Sequence, residues 1–249
     1  MFGLSVVIIT RNEEKIIQRC LDSVKPIASE IVVVDSVSGD RTPLICGTNG
    51  CRVYTRDFDG YGTQKQFAVD QATHDWVLSI DADEIVSEDL VAEIKEVLSG
   101  PFILSGYRIP FTVFYLGKML KHSGVGHERH LRLFDRTKGG FTKVPVHEGI
   151  EVEGATGTLR GKIIHYPYRD ISHHLEKINR YTSQAAEGYC QKGKTFSRCW
   201  PFFKFLISFI SYYFIKKGFL DGYAGFMWSF LSALYASLKI AKTIELNPK

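Results

Sequence analysis
Three short runs of β-branched and apolar residues, each ending in a polar or acidic residue, constrain this chain more than any other feature. They are LSVVIIT (residues 4–10), EIVVVD (30–35) and WVLSI (76–80), the last followed directly by Asp81, Ala82, Asp83 and Glu84. An apolar run of this length without alternation is a strand covered on both faces, as in a parallel sheet. Between the runs the apolar spacing becomes helical. Ile16, Ile17, Cys20, Leu21 and Val24 recur before Pro26, and Asn12 is placed to cap that helix, with Glu13 and Glu14 in its first turn. Residues 40–46 read as a short helix, 51–55 as a third strand and 63–72 as a helix with Phe67, Ala68 and Ala72 inward. Residues 87–98 read as a helix capped by Ser87. Strands alternating with helices form β-α-β units. The expected fold class is therefore α/β: an open, mostly parallel sheet with helices on both faces. In such sheets ligands bind beyond the carboxyl ends of the strands. Thr10, Arg11, Asp35 and Asp81 to Asp83 all fall there.

After Gly100-Pro101 the pattern changes. Short apolar segments at 107–114, 130–134 and 163–166 sit among glycine-rich turns and predict extra, partly antiparallel strands. Residues 171–190 predict one amphipathic helix, and 200–242 one or two helices broken near Gly218. This divides the chain into a nucleotide-binding half (1–100) and an acceptor half (101–195) of one catalytic domain, followed by a C-terminal helical region (196–249).

The net charge of the 249 residues is +4, and its position matters more than its size. From Trp200 onward six lysines face only Asp221 and Glu245, so the preceding body is neutral. The same segment holds 14 of the 32 aromatic residues. A neutral body with a basic, aromatic tail argues against a nucleic-acid binder, whose basic patch belongs on the folded body. Five cysteines (Cys20, Cys46, Cys51, Cys190, Cys199) without a paired framework read as reduced thiols of a cytosolic protein. The N-terminus lacks the basic region and the cleavage site of a signal peptide.

The chemistry-bearing pattern is Asp81-Ala82-Asp83 behind an apolar strand. Two carboxylates flanking a small residue either share a hard divalent cation, Mg²⁺ or Mn²⁺, with a diphosphate, or merely cap the loop that follows. Asp35 either accepts from a nucleobase N–H or forms the turn of DSVSGD. Thr10, Arg11 and Glu13 lie at the first strand–helix junction, where backbone donors meet anionic ligands or simply start a helix.

These segments resemble a known family. SVVIITRNEE, EIVVVDSVSGDRT, GTQKQFAVDQATHDWVLSIDADE, RHLRLFD, VPVHE and IIHYPYRD look like the family-2 (GT-A) glycosyltransferases. Within these they resemble the lipopolysaccharide inner-core β-1,4-glucosyltransferase branch. The resemblance runs from residue 4 to about 240. It implies a GT-A, Rossmann-like fold, a UDP-sugar donor and inversion at the anomeric carbon. By that pattern Thr10 and Glu13 hold the nucleotide end, Asp35 contacts uracil and Lys65 lies beside base and phosphates. Asp81 faces the ribose or metal, next to Ala82, and Asp83 binds the metal. One departure is Ser36, where many relatives carry a second acid. An inverting transfer needs one base within reach of the acceptor hydroxyl. Glu148 of VPVHE is the candidate, because the branch places an acid there; its alternative role is pairing with a lysine or arginine. Glu128 and Asp135 are runners-up. Arg129 and Arg132 suit phosphate oxygens. Three apart on a strand, they point to opposite faces, so one serves, and Arg132 in the RLF segment is chosen. His165 is either a further metal ligand or a structural histidine.

Residues 205–215 and 222–238 are uncharged, flanked by lysines and rich in aromatics. Both are shorter than the ~20 residues of a spanning helix. They read as interfacial helices on an anionic membrane surface, or as a hairpin packed on the body or on a second copy. The expected protein is cytoplasmic and peripheral on the inner face of the bacterial cytoplasmic membrane. Its expected reaction moves a hexose, glucose by the resemblance, from a UDP-sugar to a lipid-linked oligosaccharide acceptor, the heptose of the lipopolysaccharide inner core. Alternatives are another sugar, a capsular or polyprenyl-linked acceptor, or a non-catalytic nucleotide-binding protein at the membrane surface.

Overall fold
The computed structural model describes residues 2–101, 103–126, 128–142 and 149–247. The chain divides into two compact units: Met1–Phe111 with Glu128–His165, and Thr112–His127 with Tyr166–Lys249. Helix 171–191 thus groups with the C-terminal helices and not with the body to which the sequence reading assigned it. The reason lies in its packing on the last helix, described below.

In the first unit the elements run β1 (Leu4–Thr10), α1 (Ile17–Val24), β2 (Glu30–Asp35), α2 (Thr42–Thr48), β3 (Arg52–Thr55), α3 (Tyr61–Asp70), β4 (Trp76–Asp81), β5 (Glu84–Val86) and α4 (Glu88–Ser99). β6 (Gly106–Tyr115) leads out of it, and β7 (Lys118–Leu120) follows in the second unit. The first unit resumes with β8 (Arg129–Asp135), β9 (Gly139–Phe141), β10 (Ile150–Val152), β11 (Thr156–Thr158) and β12 (Ile163–His165). The sheet order is β3-β2-β1-β4-β8-β6-β12-β5. Strands β3, β2, β1 and β4 are parallel, and β8 is antiparallel to both β4 and β6. The alternation of strand and helix patterns predicts the parallel half, and the change after Gly100 predicts the antiparallel remainder.

The apolar runs are continuous because both faces of the sheet are covered. Val6, Ile8, Val33, Leu78 and Ile80 pack with Ile17 and Leu21 of α1 and Leu90 and Ile94 of α4. The alternate residues Val7, Val32, Val34 and Val77 pack with Ala68, Val69 and Ala72 beside α3. Side chains of period two therefore all find apolar partners. Ser87 caps α4, its side chain accepting from Leu90 N, with Glu88 and Asp89 in the first turn.

Asn12 does not cap α1, contrary to expectation. Its φ is +57°, and its Oδ1 accepts from Gly39 N at 2.8 Å. Asn12 N donates to Ser38 Oγ and Glu13 N to Thr42 Oγ1, each at 2.8 Å. An asparagine tolerates the left-handed region, so it turns the chain and ties the loop after β1 to the loop after β2. Helix α1 then starts at Ile17 without a side-chain cap.

The second unit contains α5 (Ile171–Gln191), α6 (Trp200–Ile210) and α7 (Gly222–Leu246). A π-helical turn (Ser211–Ile215) and a 3-10 turn (Gly218–Asp221) separate α6 from α7, close to the break expected at Gly218. Helix α5 is tied to α7: Lys242 Nζ donates to Asn179 O, Asn179 Oδ1 and Ser183 Oγ at 2.7–2.9 Å.

Candidate active site
Strand register builds the site. Pairing of β1 with β2 sets Thr10 beside Asp35, and pairing of β1 with β4 sets Ile9 beside Asp81. Three polar residues distant in sequence therefore end their strands at one rim. On the antiparallel side β5 and β12 set His165 beside Glu84, which brings its ring to the Asp81–Glu84 turn. Leu133 of β8 pairs with Leu78, so Arg132 lies one residue nearer the rim.

Asp81 is the centre of the charge cluster, with 28% of its side chain exposed. Lys65 Nζ lies 2.9 Å from Oδ1 and donates to Oδ2 at 3.2 Å. Arg132 Nη2 donates to Asp81 Oδ2 at 3.3 Å and to Glu84 Oε1 at 3.0 Å. Its guanidinium lies 5.2 Å from the Phe111 ring centroid. Glu84, whose side chain is 3% exposed, accepts from Asp81 N at 2.8 Å. Burial alone would raise the Asp81 carboxyl, but Lys65 and Arg132 outweigh it and hold it well below the ordinary range. Burial pushes Glu84 up to about 7; Arg132 opposes the rise and the Asp81 charge adds to it.

Asp83 and His165 form a second pair, Oδ2 to Nε2 at 3.3 Å. Burial disfavours the charged imidazole, but the hydrogen bond and charge of Asp83 prevail and raise its pKa. Among the described residues no three metal-binding side chains cluster. A hard cation held partly by substrate phosphates needs only one or two protein carboxylates; Asp83 could serve as one, with the His165 imidazole beside it. Two buried oxygens at the rim, Thr10 Oγ1 and Asp81 Oδ1, have no hydrogen-bond partner among the described residues. The second lies 2.9 Å from Lys65 Nζ as an ion pair. Atoms so placed are ready acceptors for a ligand.

The other predicted residues fall as follows. Lys65 comes from α3, whose buried face is partly polar: Gln64 and Lys65 with Ala68 and Val69. Asp35 is 1% exposed, and its two oxygens accept from Ser38 Oγ at 2.6 Å and Ser38 N at 2.8 Å; it thus forms the turn. Ser36, the departure from the family pattern, is buried and its hydroxyl accepts from Gln64 Nε2 at 3.1 Å. The methyl of Ala82 is buried in the core, so contact with a ligand there is left to its backbone. Arg11 is exposed. Glu13 starts α1 through its carbonyl, which accepts from Ile16 N and Ile17 N. Arg129 is exposed and Arg132 is turned inward, the opposite faces that three residues on a strand require. Glu148 lies outside the described residues. Of the runners-up, Glu128 is exposed beside His130. Asp135 pairs with Trp76 at the start of β4, five residues and ~16 Å from Asp81, and its carboxylate accepts from Thr137 N and Oγ1.

Sequence reasoning missed Glu84. Its only signal is an acid inside the short strand EIV, where one face must be buried. It also missed the chain from Ser36 through Gln64 to Arg56, whose Nη1 donates to Gln64 Oε1 at 2.7 Å.

Residues 5–160 match the model of the family described as glycosyl transferase family 2. A glycosyltransferase of Rickettsia typhi is 32% identical over 100% of this chain and 89% of its own length. The lipopolysaccharide core biosynthesis glycosyltransferase LpsC of Rhizobium meliloti is 32% identical over 97% of this chain and 92% of its own. Among solved structures, S. aureus TarS in complex with UDP-GlcNAc is 23% identical, with a TM-score of 0.40 over 49% of this chain and 37% of that one.

Proposed function
The chain belongs to glycosyl transferase family 2 and is a glycosyltransferase of GT-A fold, and we propose that it moves glucose from UDP-glucose to the heptose of a lipopolysaccharide inner core. The likeness to LpsC, which extends over nearly the whole chain, supports the acceptor class. The observation that carries the donor reading is the rim cluster: Lys65 and Arg132 converge on Asp81 beside the Asp83–His165 pair. Two cations that share the Asp81 carboxylate, next to a second carboxylate able to take a divalent cation, suit a nucleoside diphosphate that arrives with its metal.

In this reading Thr10, Arg11 and Glu13 line the nucleotide end, on a loop that Asp35 shapes from behind through Ser38, with the Ala82 backbone and Lys65 beside the phosphates. Asp83 and His165 would hold Mg²⁺ or Mn²⁺, which supplies charge neutralisation for the leaving UDP. Arg132, placed over the Phe111 ring and anchored on Glu84, presents its guanidinium to the same developing charge. Glu148 takes the proton of the acceptor hydroxyl as that oxygen bonds to the anomeric carbon. The bond from that carbon to the UDP oxygen breaks on the opposite face, which inverts the centre. The enzyme works as a peripheral protein on the cytoplasmic face of the inner membrane, where a lipid-linked acceptor resides.

The test is UDP release with a panel of UDP-sugars and heptose-terminated lipid acceptor. Asp83→Asn is expected to lower turnover and metal-dependent UDP binding at least about tenfold. Glu148→Gln is expected to lose transfer and keep donor binding. Normal turnover in Asp83→Asn overturns the metal assignment. Transfer to capsular or polyprenyl-linked sugar in place of heptose overturns the acceptor.

A further inference from the structure
We infer that the corner joining α6 to α7 inserts into an anionic lipid surface and that the lysines around it bind the lipid phosphates. This rests on the peripheral location proposed above and deepens it, because it names the inserting element and the headgroup charge it requires.

The corner exposes Phe214 (56%), Ile215 (73%), Phe219, Leu220 and, at the start of α7, Tyr223 (66%). The apolar stripe continues along α6 through Phe203, Ile207 and Ile210, which share a face with Phe214 at helical spacing. This stripe is not what holds the hairpin together. Phe205, Phe209 and Tyr213 of the inner side meet Phe226 and Phe230 of α7 at centroid distances of 5.5–6.0 Å. The hairpin's own interface is thus made by other aromatics, and the outer stripe is left over. A contiguous apolar face of this kind marks an interaction surface.

The charge around the corner identifies the occupant. Lys118, Lys121, Lys216 and Lys217 are all exposed, and Ser123 N donates to Lys216 O at 2.9 Å, tying the loop after β7 to the corner. The acid of this region, Asp221, is buried, and its oxygens accept from Lys121 N and His122 N at 2.8–3.2 Å. The corner therefore presents apolar side chains framed by cations. A second copy docking face to face would bring the same lysines against each other, whereas anionic phosphates complement them.

Geometry limits the depth. Gly218–Leu246 is long and apolar enough to cross a membrane by composition, with a third of its most apolar window buried. Its later half, however, packs on α5, which carries Glu176, Lys177, Arg180 and Glu187. A helix so charged cannot follow α7 into hydrocarbon. His174 of α5 already meets Trp228 at 6.0 Å. From Trp228 back to Gly222 the helix rises about 9 Å, comparable to the roughly 5–10 Å that interfacial helices penetrate and far short of the ~30 Å core. The aromatics then sit at the acyl boundary and the lysines at the phosphates.

Flotation of the full chain with phosphatidylcholine vesicles, with and without phosphatidylglycerol, tests this. The parent protein is expected to float with the anionic vesicles and to be released by salt. Lys216→Gln with Lys217→Gln should lower that partitioning about 30-fold, at ~1 kcal/mol per lysine. Phe214→Ser, Ile215→Ser and Phe219→Ser together should abolish it. Both variants should keep the parent's rate of UDP-glucose hydrolysis in solution, which also shows that they fold. The indole introduced by Phe219→Trp should be quenched by brominated acyl chains. Serine and glutamine variants that float like the parent, or an introduced indole that the brominated lipid leaves unquenched, overturn the corner. A parent that floats with neither vesicle overturns the peripheral location as well, while its UDP release still reports on the donor reading. A dimer dissolved by the serine substitutions assigns the stripe to a second copy and overturns the inference.

Discussion

Replacing Arg132 by methionine keeps the packing over Phe111 and removes the guanidinium that bridges Asp81 and Glu84. The two acids lose unequally. Asp81 is 28% exposed and keeps Lys65 at 2.9 Å, so water and the ammonium cover much of its loss. Glu84 is 3% exposed and keeps the Asp81 N–H. Stripping the partner from a buried charge costs roughly 3–5 kcal/mol, and the lower end applies where one hydrogen bond survives. The cost depends on pH, because the Glu84 carboxyl is raised from 4.5 to about 7. A raised acid holds its proton more firmly in the folded state. Its stabilising contribution is complete below pH 4.5 and is lost as pH rises through 7. At pH 6 Glu84 is mostly protonated, and Arg132→Met removes a hydrogen bond to a neutral acid, about 1 kcal/mol. At pH 8 it strands a carboxylate, about 3 kcal/mol. Urea unfolding of both proteins in EDTA at pH 6 and 8 reads the difference. A loss equal at the two pH values, or below about 0.5 kcal/mol at pH 8, refutes the account of Glu84 as a buried charge held by Arg132.

Two further outcomes are expected. Thr10→Val replaces a buried hydroxyl without a partner among the described residues by an isostere, which should stabilise the fold by about 1 kcal/mol and raise Tm by about 2–4 °C; calorimetry with UDP should show weaker binding, and unchanged affinity removes Thr10 from the nucleotide site. His174 stacks on Tyr168 at 3.5 Å and bonds Tyr115 Oη at 2.9 Å, and burial, with Lys177 and His173, lowers its pKa from 6.5 to about 4. A lowered histidine favours the folded state above pH 6.5 and withdraws that support as pH falls toward 4, by about 3 kcal/mol. Denaturant midpoints between pH 7 and 4.5 should fall more steeply in the parent than in His174→Gln, and parallel profiles contradict the assignment.

LSVVIIT, EIVVVD and WVLSI declare buried strands because burial on both faces demands apolar side chains at every position. Ser87, Glu88 and Asp89 declare a helix start because backbone N–H groups there need acceptors. Asn12 looked like the same device and is a left-handed turn instead, since Gly39 N from another loop supplies its partner. Helix α3 was found, but not the reason Gln64 and Lys65 face inward; periodicity treats polar residues as outward, and these two are held by Ser36 and Asp81.

The local chemistry of this chain, meaning which segments are strands, where helices begin and which acids stand at strand ends, follows from its order of residues, because those preferences act over a few neighbours. Which of those acids meet a cation, and how each titrates, came only with the fold. Arg132 is 51 residues from Asp81 and 48 from Glu84, and Asp35 turned to Ser38 while Asp81 took Lys65. Strand register and burial set such partnerships, and both are properties of the packed sheet and not of any segment within it.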